Sequence, residues 1–243
     1  MRTIWADLLR VLTFRASPRD CERFGRGHLI FGLVLTWLVG IGRRWDDPRA
    51  TMLQHLGLGS VAYVFVLAFL LWVFALGVSP TPGPYRRTLI YVTLTAPPGL
   101  LYALPVERWT DMPTAQAINF WFLAVVAAWR VALYFTYLKR CGSLGWYTTA
   151  CTVFLPMALI VTGLAMLNLD HVVFSLMAGA DHPPSPHDTA YGMLVGLSMF
   201  SWLGLPLFGL GWILARVRQG RREEGWRSAQ GTRDKGQGSD AEP

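Results

Sequence analysis

The sequence predicts an all-α integral membrane protein: a bundle of six transmembrane helices with a short N-terminal amphipathic helix lying at the interface. Three observations carry this expectation. Six apolar runs, at residues 27–42, 57–78, 88–105, 116–138, 146–168 and 190–215, are long enough or nearly long enough to cross a bilayer. A spanning helix takes about 20 mostly apolar residues. Composition agrees, with 53% hydrophobic residues, 15% charged residues and a mean hydropathy of +0.35; a soluble domain carries about 25% charged residues.

The third observation is where the basic residues fall. With the N-terminus in the cytoplasm, 17 of the 22 Lys and Arg lie on the cytoplasmic side: six in the N-terminal arm, Arg86 and Arg87, Lys139 and Arg140, and seven after residue 215. Only Arg43, Arg44, Arg49 and Arg108 fall on the other side, and Arg130 lies inside a span. The positive-inside rule then places both termini in the cytoplasm. Removing the first span would abolish the bias, so six spans are expected.

The chain divides into a cytoplasmic arm (1–26), a six-span membrane domain (27–215) and a basic, largely disordered cytoplasmic tail (216–243). In the arm, Ile4, Trp5, Leu8, Leu9 and Leu12 share one helical face, opposite Asp7 and Arg10. Such a helix lies in the membrane interface or docks on the protein's own bundle. Ser17-Pro18-Arg19-Asp20 reads as a turn or helix start. No cleaved signal peptide is expected, because the apolar run begins near His28 and no small-x-small site follows it.

The second span carries no charge between His55 and Arg86 and is ended by Pro80, Pro82 and Pro84. The third holds Pro97-Pro98-Gly99 and must kink or break there, and broken backbone at that depth survives only inside protein or along a wet cavity. Pro156 and Pro206 predict kinks in the fifth and sixth spans. Ala124, Ala128 and Ala132, and Gly192 with Gly196, place small residues at helix-packing spacing, read here as packing within the bundle. Beyond about Ser228 the tail has no apolar period, and disorder is expected.

Cys21 and Cys141 fall on the cytoplasmic side and Cys151 in the cytoplasmic half of the fifth span, where a disulfide would not be expected to persist. The +7 net charge is clustered at span ends and in the tail, so its expected partner is anionic lipid at the cytoplasmic face rather than nucleic acid. Arg accounts for 20 of the 22 basic residues, a bias common in GC-rich genomes, which points to a bacterial inner membrane.

Two clusters could carry chemistry. Arg130 sits about 4–5 Å from the middle of its span, where a charge costs at least ~2.5 kcal/mol. Its fork suits a carboxylate or phosphate, and the expected counterpart is the Pro97–Pro98 break, a lipid phosphate or an anionic substrate. The bland alternative is an arginine that snorkels to the interface. The last external loop pairs Asp170 with His171, Asp181 with His182 and His187 with Asp188. Imidazole beside carboxylate suits zinc, but the spacing matches no standard site and an ordinary polar loop is the favoured reading. No cofactor is expected.

No motif names a reaction: there is no Gly-x-Ser-x-Gly elbow, no phosphate-binding Gly loop and no Cys-x-x-Cys. The leading expectation is a non-enzymatic scaffold, assembly or regulatory component of a membrane complex, with another membrane protein as partner. The alternative is a small permease or lipid-handling protein using Arg130 and the Pro97–Pro98 break. The second alternative is a membrane enzyme with a His/Asp metal site on its external face.

Overall fold

The computed structural model describes residues 4–42, 52–80, 83–177 and 188–239, and these are helical with no strand. The helices are α1 (Ile4–Leu12), α2 (Pro18–Arg23), α3 (Arg26–Gly42), α4 (Met52–His55), α5 (Leu58–Val78), α6 (Tyr85–Leu94), α7 (Met112–Cys141), α8 (Trp146–Met177) and α9 (Asp188–Ser239). Two 3₁₀ segments, Pro97–Ala103 and Val106–Arg108, join α6 to α7.

Four helices are long and apolar enough to cross a membrane, by length and composition: Leu58–Val78, Pro113–Cys141, Trp146–Leu167 and Gly196–Arg221. This departs from six matching spans at two places. The first run forms α3, whose 17 residues are slightly short for a crossing. The third run is not one helix. Pro97 and Pro98 lack the N–H groups that the carbonyls of Thr93 and Leu94 would need, so α6 stops after ten residues and the chain continues as 3₁₀ helix. The Ala96 N–H takes up the Thr93 carbonyl at 3.2 Å, and the Thr93 and Thr95 hydroxyls add bonds to the carbonyls of Ile90 (2.8 Å) and Val92 (2.7 Å).

Short as it is, α6 is the centre of the molecule. Every residue from Thr88 to Leu94 is buried, because α3, α5, α1 and α2 pack around it and α7 is bonded to it through Thr88 and Tyr91. The close approach of α3 depends on Gly32, where an added Cβ would collide with the Thr93 hydroxyl. Gly32, Thr36 and Gly40 form the buried small-residue stripe of α3. Of the stripes expected to pack, Ala128 and Ala132 are exposed on α7 while Ala124 is half-buried, and Gly196 has nothing within 4 Å of its Cβ position; the surroundings of Gly192 lie outside those described.

The arm is built onto the bundle. Leu8 and Val11 of α1 are buried while Trp5 and Leu9 stay exposed, so the apolar face is split between the protein and the surroundings. Ser17 caps α2 in a capping box with Asp20, and Pro18 occupies the first turn. Asp20 also pairs with Arg10 at 3.4 Å, Asp7 meets His28 at 3.2 Å, and Arg140 donates to the Phe14 carbonyl at 2.7 Å. Trp129 adds a bond to the Leu12 carbonyl at 3.1 Å.

α8 and α9 form an antiparallel pair beside this core. Trp212 donates to the Phe74 carbonyl at 3.0 Å and lies against Gly77, which fastens α9 to α5. The helices run further than expected at both ends of the pair. α8 continues to Met177, carrying the apolar Val172–Met177 run past Asp170 and His171. α9 continues to Ser239, where disorder was expected beyond Ser228. Residues 216–230 supply Arg, Gln, Ala and Glu, which are strong helix formers, and extending an existing helix avoids the nucleation cost; Gly231, Gly236 and Gly238 beyond them disfavour helix.

Candidate functional site

Arg130 projects from α7 towards the break after α6. Tyr134, four residues on along the same helix face, lies near enough to act on it electrostatically, as do Tyr63 of α5 and Tyr102 of the 3₁₀ segment. Tyr134 is buried, and its hydroxyl lies 3.2 Å from the Thr95 hydroxyl, one residue after the end of α6. Tyr134 thus stands between the guanidinium and the backbone turn that the two prolines create. The structure brings Arg130 and the Pro97–Pro98 region into one neighbourhood, where the two prolines break the helix.

The guanidinium is not fully satisfied. Its Nε is buried with no hydrogen-bond partner, and among the described residues no carboxylate pairs with it. The interactions that reach it come from phenols. A phenol hydroxyl can accept a hydrogen bond from the fork while remaining neutral, so the positive charge is oriented but not neutralised. Such a group has residual capacity for an anion with two oxygens, because the guanidinium fork matches a carboxylate or phosphate.

A second polar layer runs along the same helices towards the cytoplasmic end expected from the basic residues. Thr88 and Tyr137 meet at 3.0 Å, Tyr91 donates to the Leu133 carbonyl at 3.2 Å, and the Tyr91 and Tyr137 rings stack at 4.4 Å. These bonds satisfy polar groups that sit in the most deeply buried part of the bundle, as buried polar groups require. They leave the buried Arg130 Nε as the unsatisfied polar atom of the cluster.

The His/Asp candidates fare differently. Asp181, His182 and His187 lie outside the described residues, and the side chains of Asp170, His171 and Asp188 are likewise not described, although their backbones fall in α8 and α9. Among the described residues no three His, Cys, Asp or Glu side chains come together to hold a metal.

Two features escaped the sequence reading. The tyrosines around Arg130 come from three separate elements, and only Tyr134, at i+4, carried a local signal. The second is a pair of thiols: Cys21 and Cys141, 120 residues apart, bring their sulfurs to 2.7 Å. Nothing in the spacing announces it. Comparison with known protein families, with curated proteins and with solved structures finds no match for this chain.

Proposed function

We propose that the protein is a multi-pass inner-membrane protein that binds an anionic oxygen group, carboxylate or phosphate, at Arg130 beside the broken α6 segment, and acts as a small permease or lipid-handling protein. Both termini face the cytoplasm in this reading, which rests on the distribution of Arg and Lys. The observation that carries it is the buried, unpartnered Nε of Arg130 at a discontinuity between two helical segments. A buried charge without a counter-ion is costly to keep. Broken helices inside membranes recur where substrates bind, because their free backbone groups serve as ligands.

The test uses purified full-length protein in neutral phosphatidylcholine nanodiscs, with and without added phosphatidylglycerol, and separately with soluble glycerol phosphate. The reading expects wild type to be thermally stabilised by at least one of these anions, and Arg130→Leu to lose that shift while remaining folded. A shift with the lipid alone assigns a headgroup as ligand; a shift with glycerol phosphate assigns a solute. Equal shifts in wild type and Arg130→Leu would overturn the proposal.

One further observation favours a second reading, a scaffold or assembly component. Only 6% of the apolar window Gly196–Arg221 of α9 is buried. Phe200, Trp202, Leu203 and Leu207 all face outward, which leaves a face on which a partner's transmembrane helix could pack in place of lipid.

A further inference from the structure

We propose that Cys21 and Cys141 form a reversible dithiol–disulfide site whose oxidising substrate is a small hydroperoxide, and that its disulfide locks the N-terminal arm to the end of α7. Both cysteines are free thiols, and their sulfurs are 2.7 Å apart. A disulfide bond is about 2.05 Å long, so closing it needs the sulfurs to approach by roughly 0.7 Å. The elements that carry them are already fixed against each other. Arg140 bonds the Phe14 and Ala16 carbonyls at 2.7 and 3.2 Å, and Asp20, next to Cys21, is held by the Ser17 cap.

The surroundings favour chemistry at one of the two sulfurs. Cys21 is buried and Cys141 is partly accessible. The hydrogen bond to Cys141 and burial push the Cys21 thiol well up, so Cys21 keeps its proton. The guanidiniums of Arg87 and Arg140 lie near enough to Cys141 to act on it electrostatically, and neighbouring cations favour thiolate. A cavity of about 20 Å³, lined by Cys141, Arg87, Thr88, Tyr137 and Gly142, adjoins that sulfur. A space of this size admits a molecule on the scale of water, which fits hydrogen peroxide and excludes a bulky protein disulfide.

The reaction balances in two steps. The Cys141 thiolate attacks one peroxide oxygen, the O–O bond breaks, and the departing hydroxide takes a proton to leave as water, giving a sulfenic acid. The Cys21 sulfur then attacks the Cys141 sulfur, the S–O bond breaks, and the Cys21 proton leaves with the hydroxyl as a second water. Two thiols are oxidised and one peroxide is reduced. Transient disulfides of this kind are the sort that a reducing compartment permits, and an added dithiol reverses the bond by exchange.

The experiment treats folded full-length protein with hydrogen peroxide, blocks remaining thiols with N-ethylmaleimide under denaturing conditions, and maps peptides by mass spectrometry. The proposal expects a Cys21–Cys141 cross-linked peptide, loss of two maleimide adducts, continued labelling of Cys151, and full recovery after dithiothreitol. Cys21→Ser should instead trap a dimedone-reactive sulfenic acid at Cys141. Wild type alone keeps the test decisive if a variant fails to fold. Oxidation at Cys151 as fast as at Cys141, or peroxide treatment that yields no Cys21–Cys141 cross-link, overturns it.

Discussion

The Arg130–Tyr134–Thr95 chain can be tested by a double-mutant cycle, because its energetics follow from who shares the Tyr134 hydroxyl. Tyr134 is 2% exposed, its hydroxyl lies 3.2 Å from the Thr95 hydroxyl, and it acts electrostatically on the Arg130 guanidinium. Tyr134→Phe removes both interactions. Thr95 loses little, since it keeps its 2.7 Å bond to the Val92 carbonyl; interhelical hydrogen bonds of this kind average about 0.6 kcal/mol in membrane proteins. Arg130 loses the hydroxyl dipole that solvates its charge, a loss on the scale of a charged hydrogen bond, about 1.5–3 kcal/mol. The single substitution should therefore destabilise by about 2–3 kcal/mol. Arg130→Leu should be neutral or stabilising, because it removes a charge whose insertion costs about 2.5–3.5 kcal/mol. In the Arg130→Leu background, Tyr134→Phe should cost only the residual ~0.6 kcal/mol of the Thr95 bond. The cycle then has a coupling of about 1.5–2.5 kcal/mol. The assay is reversible unfolding in mixed detergent micelles by titration with sodium dodecyl sulfate, followed by helical circular dichroism. Independent sites add within about 0.5 kcal/mol, so additivity at that level would refute the linked network and leave Arg130 as a snorkelling residue.

Gly32→Ala should destabilise by about 1–3 kcal/mol in the same assay, the usual cost of overpacking, because its Cβ would meet the Thr93 hydroxyl and lie 2.7 Å from the Thr93 Cβ, with Thr93 fully buried. Gly59→Ala, with nothing within 4 Å, is the internal control and should be neutral or gain up to about 1 kcal/mol from helix propensity. For orientation, single cysteines placed at Ser185 and Ser228 in a chain with Cys21, Cys141 and Cys151 replaced should label from opposite sides of the membrane; labelling from the same side refutes the assigned topology.

Much of the architecture was legible in the chain because the bilayer imposes it through composition. Apolar run length located α3, α5, α7, α8 and α9 to within a few residues at most of their ends. The Pro97–Pro98 pair announced the break, since missing N–H groups are a local property that no packing can restore. Ser17-Pro18-Arg19-Asp20 announced the cap of α2 for the same reason. Where the local pattern was weak, the outcome went elsewhere. Residues 216–230, with no apolar period, nevertheless continue α9, because helix extension needs good helix formers rather than a buried face.

Arg130 stood out from sequence alone because a charge in an apolar run is costly wherever it sits. Its company was decided by the tertiary structure. Tyr63 and Tyr102 reach it, and Thr95 reaches Tyr134, from elements that are remote in the chain, and only the packing of α5, the 3₁₀ segment and α7 determines which hydroxyls approach the guanidinium. The small-residue spacing on α7 and α9 had the right period for packing, yet the stripe that the bundle uses lies on α3, where Gly32 faces Thr93. Period shows that a face can pack and does not say which partner it meets. The two sulfurs of Cys21 and Cys141 give the sharpest case. Each is an unremarkable cytoplasmic-side cysteine by sequence, and their meeting across 120 residues exists only because the arm folds back onto the ends of α6 and α7, where a capped turn, a buried Asp20 and the Arg140 bonds hold it.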